Sequence, residues 1–219
     1  MISRQSSVVS INMSYYPINL DLRNRKCIVI GGGEVAERKI ESLLEFGAAV
    51  TVIAPDLTTR LSELASAGAI EHIAERYTTG MLQGAILVIA ATDDAETNKT
   101  VSSEAQRLGI LINVVDDPDL CAFFVPAMVR RGNLLISVSS SGKSPALARR
   151  MREELESHYG PEYGELADLM GELRDEVKAK YPDQPDRNMA YIRILDSDAL
   201  SLLRQGKRDE AMERARKCI

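Results

Sequence analysis

The stretch VIGGGEVAERKI, from Val29 to Ile40, sets three glycines between an apolar run and a row of charged residues. Within it, Gly31, Gly33 and Ala36 match the pattern G-x-G-x-x-G/A, directly after a predicted strand and at the start of a predicted helix. In this setting the first glycine makes a tight turn, and the second lets a pyrophosphate reach the backbone. The third small residue packs helix on strand, while the helix N-terminus offers N–H groups and a positive dipole end. The pattern predicts a bound dinucleotide; a tight strand-to-helix turn without a ligand is the alternative.

Short apolar runs rich in β-branched residues alternate with amphipathic segments from Lys26 onward, which is typical of βαβ units around a parallel sheet. The segment after the glycines is predicted to be a crossover helix that stops at Gly47, and residues 97–109 form a second helix. The fold class is therefore α/β, a Rossmann-type doubly wound parallel sheet. The predicted strands are KCIVIG (26–31), AVTVIA (49–54), IEHIAE (70–75), AILVIAAT (85–92) and LINVVD (111–116).

The doubly wound pattern stops after Asp116, and a second structural unit is predicted there. Two strands are joined by the turn RRGN (130–133), and a serine- and glycine-rich loop follows. Ser144 and Pro145 then form an N-cap and first-turn pair that opens a helix. The apolar residues at helical spacing in this helix are Leu147, Met151 and Leu155.

The composition limits the partners and the compartment. The formal net charge of the 219-residue chain is -5, which argues against nucleic acid or an anionic membrane as the main partner. The cysteines are far apart and form no CxxC pair, so neither a disulfide framework nor a thiolate zinc site is predicted. No run approaches the roughly 18 apolar residues of a membrane span. We therefore expect a cytoplasmic protein in a reducing environment.

Candidate nucleotide contacts also follow the second and fourth predicted strands. Asp56 stands about 20 residues after the glycine turn, where an acid receives the ribose hydroxyls, and Pro55 would line the adenine side. An acid there favours NAD over NADP because it repels a 2′-phosphate, although Arg60 lies nearby. Thr92 ends the fourth strand, where doubly wound sheets hold the cofactor. For the adjacent Asp93 we favour the role of a helix N-cap.

A basic window stands out in this acidic chain. Six basic residues and no acidic ones lie between Leu120 and Arg152, which indicates a polyanionic substrate. The alternative, for part of the window, is a solvated helix face on which arginines pair with the glutamates at 153, 154 and 156. The loop SSSGKSP has hydroxyls, glycine backbone and a lysine ahead of a helix, a composition that suits carboxylates or phosphates. The candidate substrate-binding residues are Ser139, Ser140, Ser141, Lys143, Ser144, Arg130 and Arg149.

Asp116 stands at the end of the fifth predicted strand, where open α/β sheets place their chemistry. Asp117 and Asp119 follow it, so a proton acceptor or a metal ligand is plausible there. A simple Asp-Asp-Pro turn is the competing interpretation. His72 and His158 are isolated, and no group with zinc-ligand spacing is present.

Several segments together resemble the precorrin-2 dehydrogenase and sirohydrochlorin ferrochelatase family, the dehydrogenase portion of siroheme synthase. They are CIVIGGGEVAERK, VTVIAP, AATDD and NVVDDPDLCAFFVPAMVRRGNLLISVSSSGKSPALARRMREELE, and the resemblance covers roughly residues 15–160. The resemblance implies a homodimer that binds NAD and oxidises precorrin-2, a tetrapyrrole with many carboxylates, to sirohydrochlorin on the way to siroheme or a related modified haem.

The resemblance also implies roles for individual residues. Asp116, the aspartate of NVVD, is the expected catalytic residue. Glu34 and Val35 of the glycine turn and the Pro55–Asp56 corner are expected to contact NAD. The serine-rich loop 139–144 is expected to lie beside the tetrapyrrole.

The expected domain organisation combines the patterns with the resemblance. Residues 1–14 are expected to form a disordered tail, and residues 15–116 are expected to form the NAD-binding Rossmann domain. Residues 117–150 form a small α+β dimerisation region. Residues 151–219 form a helical C-terminal domain, interrupted by a loop at YPDQPDRN (181–188).

Three alternatives stay open at this point. The same protein could also insert Fe2+ into sirohydrochlorin, with Asp116 as a metal ligand. It could instead be an NAD-binding regulatory module without catalysis, although such a module needs no polyanion site. A dehydrogenase for a small substrate is the remaining enzyme alternative, but it would not call for so extended a basic surface.

Overall fold

The computed structural model describes residues 15–219, so the predicted tail over residues 1–14 lies outside the described residues. The chain packs into two compact units, one that ends at Val125 and one over Pro126–Ile219. The three-part division of residues 15–219 stays a prediction. Within the described part of the chain, none of the helices combines the length and the apolar character that crossing a membrane requires.

A five-stranded parallel sheet forms the centre of the first unit, which confirms the predicted fold class. The strand order is β3-β2-β1-β4-β5, so the chain reverses its direction across the sheet between β1 and β4. This neighbouring pair defines the switch point at which such sheets bind ligands. The strands are β1 (Lys26–Ile30), β2 (Ala49–Ile53), β3 (Glu71–Ile73), β4 (Leu87–Ala90) and β5 (Leu111–Val114).

Both faces of the sheet are buried, because alternate residues of each strand point to opposite sides. Cys27 and Val29 of β1 belong to one core cluster, while Ile28 and Ile30 belong to the other. Burying an aliphatic side chain of this size contributes about 1.5–3 kcal/mol, so the two clusters fix the register of the central strand. The helices of this unit are α1 (Glu34–Glu45), α2 (Thr59–Ser66) and α3 (Ala95–Leu108).

Helix α1 and helix α3 confirm the two predicted helices, whereas α2 was missed. The hydroxyl oxygen of Thr58 caps α2 by accepting a hydrogen bond from the Leu61 N–H at 3.2 Å. The N-cap of α3 is Asp94, whose carboxylate accepts from the Glu96 N–H at 3.2 Å. The prediction that Asp93 is the cap is therefore wrong by one residue.

The second unit begins with an antiparallel hairpin, β6 (Ala127–Arg131) and β7 (Leu134–Val138), as predicted. Arg131 pairs with Leu134, so the turn consists of Gly132 and Asn133, with a positive φ of 55° at Gly132. Such a two-residue turn can take a positive φ at its first position, which glycine adopts without strain. Helix α4 (Pro145–His158) follows, and the Ser144 hydroxyl caps it through the Leu147 N–H at 3.3 Å.

Five further helices complete this unit and pack around a cluster that includes Leu169, Leu173, Ile194 and Leu203. The predicted loop over residues 181–188 is shorter than expected, because a proline in the first turn of a helix costs no hydrogen bond and α7 already begins at Gln184. In α4, Leu147 and Met151 are exposed, and Ala148 is the buried residue. The helices are α5 (Pro161–Glu172), α6 (Arg174–Lys180), α7 (Gln184–Leu195), α8 (Ala199–Arg204) and α9 (Arg208–Lys217).

A close backbone approach between α5 and β6 generates a stability prediction. A Cβ at Gly164 would collide with the backbone carbonyl of Arg131, whereas a Cβ at Gly171, in the same helix, would meet nothing within 4 Å. We expect Gly164→Ala to destabilise the protein by about 1–3 kcal/mol through overpacking. Gly171→Ala should be neutral or stabilise by about 0.5–1 kcal/mol, because alanine is the better helix former. Chemical denaturation of the two variants measures both values, and equal stabilities would contradict the packing described.

Candidate active site

The first glycine of the turn is required by both its backbone angle and its surroundings. Gly31 has a φ of 120°, which side chains rarely allow, and a Cβ there would collide with the backbone carbonyl of Ala91. Its N–H donates to the carbonyl of Ile53 at 3.0 Å. Gly31 therefore locks the end of β1 against the ends of β2 and β4, as the motif predicted for a turn-forming glycine.

Gly32 is equally constrained, and sequence reasoning missed it because the motif treats its middle position as variable. A Cβ at Gly32 would collide with the backbone carbonyl of Asp56. The carbonyl of Gly32 in turn accepts from the Thr58 N–H at 3.0 Å. The glycine turn and the chain segment after β2 therefore pack against each other through backbone contacts.

Gly33 differs from both, because a Cβ built on it would meet nothing within 4 Å. It adopts an extended conformation, with a φ of -85°, as the N-cap of α1, and no side chain among the described residues caps this helix. Ala36, three residues on, is completely buried, as the motif predicts. The protein gives Gly33 no internal reason to lack a side chain, and its open face at a helix N-terminus fits a pyrophosphate group.

The corner after β2 presents Pro55 and Asp56 at the surface, both exposed. Arg60, the cation that the sequence offered for a 2′-phosphate, pairs with Glu41 at 3.2 Å and with Glu63 at 3.5 Å. A cavity of about 540 Å³ adjoins this corner, and its lining includes two acidic residues of the first turn of α1. The lining residues are Glu34, Glu37, Arg38, Thr58, Thr59 and Arg60.

Thr92, after β4, is half-buried and holds the turn that leads into α3. Its hydroxyl donates to Asn98 Oδ1 at 2.8 Å, and Asn98 Nδ2 donates back to the Thr92 carbonyl at 2.9 Å. This reciprocal pair fixes the turn at the switch point. The structure thus shows a positioning role for Thr92, and its predicted contact with the cofactor stays a prediction.

Asp116 follows β5 and has a positive φ of 61°, a conformation that aspartate adopts more readily than most residues. The turn beneath it is held by Cys121, whose Sγ accepts from the Val114 N–H at 3.2 Å and donates to the Asp117 carbonyl at 3.2 Å. Buried Asn113 adds a hydrogen bond from Nδ2 to the Phe123 carbonyl at 3.1 Å. Burial raises the pKa of the Cys121 thiol, so it stays protonated in this role.

A cavity of about 430 Å³ places Asp116 beside the first turns of α1. Val35, two residues after Gly33, lines this cavity together with Asp116, so the first turn of α1 and the candidate catalytic residue border one space. The lining residues are Val35, Arg38, Lys39, Ser42, Leu43, Ile89, Val115, Asp116 and Val125.

The serine-rich loop of the second unit is organised by its own hydroxyls. Ser139 Oγ accepts from the Ser141 N–H at 3.1 Å, and Ser140 Oγ accepts from the Ser144 N–H at 2.9 Å. Ser141 has a positive φ of 53°, and Lys143 is exposed. The hydroxyl oxygens shape the loop while their hydrogens can donate to an anionic group.

Several arginines of the basic window have protein partners. Arg149, Arg150 and Arg152 pair with the glutamates at 153, 154 and 156 along α4, which is the solvated-face interpretation. Arg149 thereby holds the pKa of Glu153 below its usual range. Arg131 donates to the carbonyls of Tyr159 and Glu156, which ties β6 to the end of α4. Arg130 lies exposed on β6. Substrate binding by Arg130 and Arg149 stays a prediction.

The part of the chain that the structure describes does not bring a set of metal ligands together. Residues 15–219 contain no group of three or more His, Cys, Asp or Glu side chains that could hold a metal ion. His72 uses its Nε2 to bond the carbonyl of Ala54 at 2.9 Å, a structural role. The suggestion that Asp116 binds a metal stays a prediction.

The fold and the glycine turn define an NAD(P)-binding Rossmann protein. A family model for NAD(P)-binding domains matches residues 18–127. Two further models match the rest of the chain: the central region of sirohaem biosynthesis proteins over residues 131–158, and the sirohaem synthase dimerisation region over residues 162–218. The chain therefore belongs to the NAD(P)-binding family, and its later segments match the central and dimerisation regions of sirohaem proteins.

Individual relatives agree with this assignment. Siroheme synthase of Chromobacterium violaceum is 42% identical over 93% of this chain, and that of Methylobacillus flagellatus is 46% identical over 82%. The chain spans only 43% and 38% of the length of these two relatives. The solved structure of SirC, a precorrin-2 dehydrogenase, superimposes with a TM-score of 0.73 at 27% identity and covers 93% of this chain and 100% of that one.

The three glycines generate a prediction that separates folding from ligand binding. We expect Gly33→Ala to fold like the wild type, because its Cβ meets nothing, and to bind NAD+ at least tenfold more weakly, because the methyl group occupies the space of the pyrophosphate. Gly32→Ala should lower the thermal unfolding midpoint, since its Cβ strikes the Asp56 carbonyl. Calorimetric NAD+ titration and thermal unfolding of both variants provide the measurements. Full NAD+ affinity in Gly33→Ala would remove this turn from the cofactor site.

Proposed function

We propose that this chain is an NAD-dependent precorrin-2 dehydrogenase, which oxidises precorrin-2 to sirohydrochlorin in the biosynthesis of siroheme or a related modified haem. The observation that carries the proposal is the shared cavity of Val35 and Asp116. It joins the first turn of α1, which directly follows the glycine turn that fits a pyrophosphate, to a carboxylate at the carboxyl end of β5. The likeness to SirC over nearly the whole chain supports the choice of substrate.

The reaction removes two electrons and two hydrogens from precorrin-2. When bound, NAD+ supplies the acceptor for the hydride. Asp116 accepts the accompanying proton, and its exposed carboxylate in the cavity gives it access to the substrate. The hydrogen bonds of Cys121 and Asn113 hold the turn, so the carboxylate is positioned before the substrate arrives.

The cofactor we propose is NAD rather than NADP. The exposed carboxylate of Asp56 follows β2 at the place where an acid receives the ribose hydroxyls, and it would repel a 2′-phosphate. Glu34 and Glu37 add negative charge to the adjoining cavity and outnumber Arg38, the lining cation without an ion-pair partner among the described residues, while Arg60 is occupied by its two glutamate partners. The balance of charge at this corner therefore favours the cofactor without the phosphate.

We also propose which residues bind the substrate carboxylates, and that the protein forms a homodimer. The hydroxyls and the lysine of the loop 139–144, with Arg130 and Arg149, are proposed to bind carboxylates of the tetrapyrrole. The dimerisation model over residues 162–218 supports a homodimer.

The role of Asp116 is tested by a substitution that keeps the backbone conformation. Asparagine tolerates positive φ as aspartate does, so we expect Asp116→Asn to fold normally and to retain NAD+ affinity. Its turnover of precorrin-2 should fall by about 10²–10⁴-fold, the usual contribution of a general base. Asp119→Asn, in the same turn region, is the matched control and should keep wild-type turnover. Anaerobic assays that follow NADH absorbance measure both, and unchanged turnover in Asp116→Asn would exclude it as the proton acceptor.

The cofactor preference is tested at Asp56. We expect Asp56→Ser to improve NADP+ binding relative to NAD+ by about fivefold, because two unit charges about 4 Å apart in water repel by roughly 1 kcal/mol. The control Asp119→Ser removes an exposed carboxylate outside this corner and should leave the ratio unchanged. Titration of both cofactors against each variant gives the ratios. A wild type that binds NADP+ more tightly than NAD+ would overturn the proposed preference.

A further inference from the structure

Two basic residues of α1, Arg38 and Lys39, line the same cavity as Asp116. Neither belongs to the basic window of residues 120–152, and the glycine motif assigns no role to them. Among residues 15–219, neither Arg38 nor Lys39 has a hydrogen-bonding or ion-pair partner. This distinguishes them from Arg149, Arg150 and Arg152, which all pair with glutamates of their own helix.

Adjacent cations without a partner leave the cavity with a local excess of positive charge, even beside Asp116. Lys39 also lies close enough to Cys121 to oppose the effect of burial on the pKa of that thiol, so its charge reaches the turn that carries Asp116. In a chain of net charge -5, such a local excess is suited to an anionic ligand.

The remaining lining of the cavity is largely apolar. Val35 and Val125 are 37% and 45% exposed, and both line this space together with Ile89 and Val115. Apolar side chains next to unpaired cations complement a ligand that has a large apolar ring and acidic substituents. A small polar substrate would leave the apolar side chains without a partner.

We propose that Arg38 and Lys39 bind carboxylate substituents of the tetrapyrrole in the Asp116 cavity and so orient the ring for proton removal. This inference rests on the proposed function and adds two specificity-determining residues to it. Arginine can hold one carboxylate through two parallel hydrogen bonds, whereas lysine acts as a point charge beside it.

The test is an anaerobic absorbance titration of the full chain with sirohydrochlorin. We expect Arg38→Gln/Lys39→Gln to bind sirohydrochlorin about tenfold to a hundredfold more weakly, because it loses hydrogen bonds to charged groups. Lys207→Gln/Arg214→Gln is the matched control. It removes the same charge from surface pairs with Glu210 and Asp198, and it should bind normally. The charge-preserving Arg38→Lys/Lys39→Arg should recover part of the affinity.

NAD+ titration of the same variants separates a substrate role from a cofactor role. Unchanged NAD+ affinity in Arg38→Gln/Lys39→Gln supports the proposal. An equal loss of NAD+ affinity, or full retention of sirohydrochlorin affinity, overturns it. If the double variant unfolds, the exposed Arg38→Gln alone carries the same test. A wild type that binds sirohydrochlorin but does not reduce NAD+ with precorrin-2 would overturn the proposed function and leave this site standing.

Discussion

The rest of the site depends on close backbone contacts at the carboxyl ends of β1, β2 and β4. Gly31 lies against the Ala91 carbonyl and Gly32 against the Asp56 carbonyl, so neither position has room for a side chain. These contacts hold the ends of the strands together just before α1 begins. Gly33, next in the chain, is then left with an open face. Gly31 and Gly32 are therefore needed for backbone packing, whereas Gly33 is available to a ligand.

The turn after β5 is also fixed by contacts with backbone groups. A cysteine and a buried asparagine hold the turn from within, through hydrogen bonds to main-chain groups at Val114, Asp117 and Phe123. Asp116 can then occupy a left-handed conformation at the surface of the cavity. Since the first turn of α1, just after the glycine turn, and this carboxylate border one space, a hydride acceptor and a proton acceptor can act on the same substrate.

Much of this architecture was predictable from the sequence, because strand and helix periodicities are strong in a sheet that is buried on both faces. Helix α2 escaped because it is short and only Leu61 is fully buried in it. The cap of α3 was misplaced by one residue, since both Asp93 and Asp94 suit that role and only geometry decides between them. Gly32 was missed because its constraint comes from the distant Asp56 carbonyl. Arg38 and Lys39 were overlooked for a similar reason: their cavity is formed by β4, β5 and α1, which are far apart along the chain.

A crystal structure of the protein with NAD+ tests the central claim most directly. We expect pyrophosphate oxygens within about 3 Å of the main-chain N–H groups at the start of α1, against the open face of Gly33. We also expect a nicotinamide ring directed into the cavity of Asp116. A dinucleotide bound elsewhere, with Gly33 facing solvent, would contradict this binding mode.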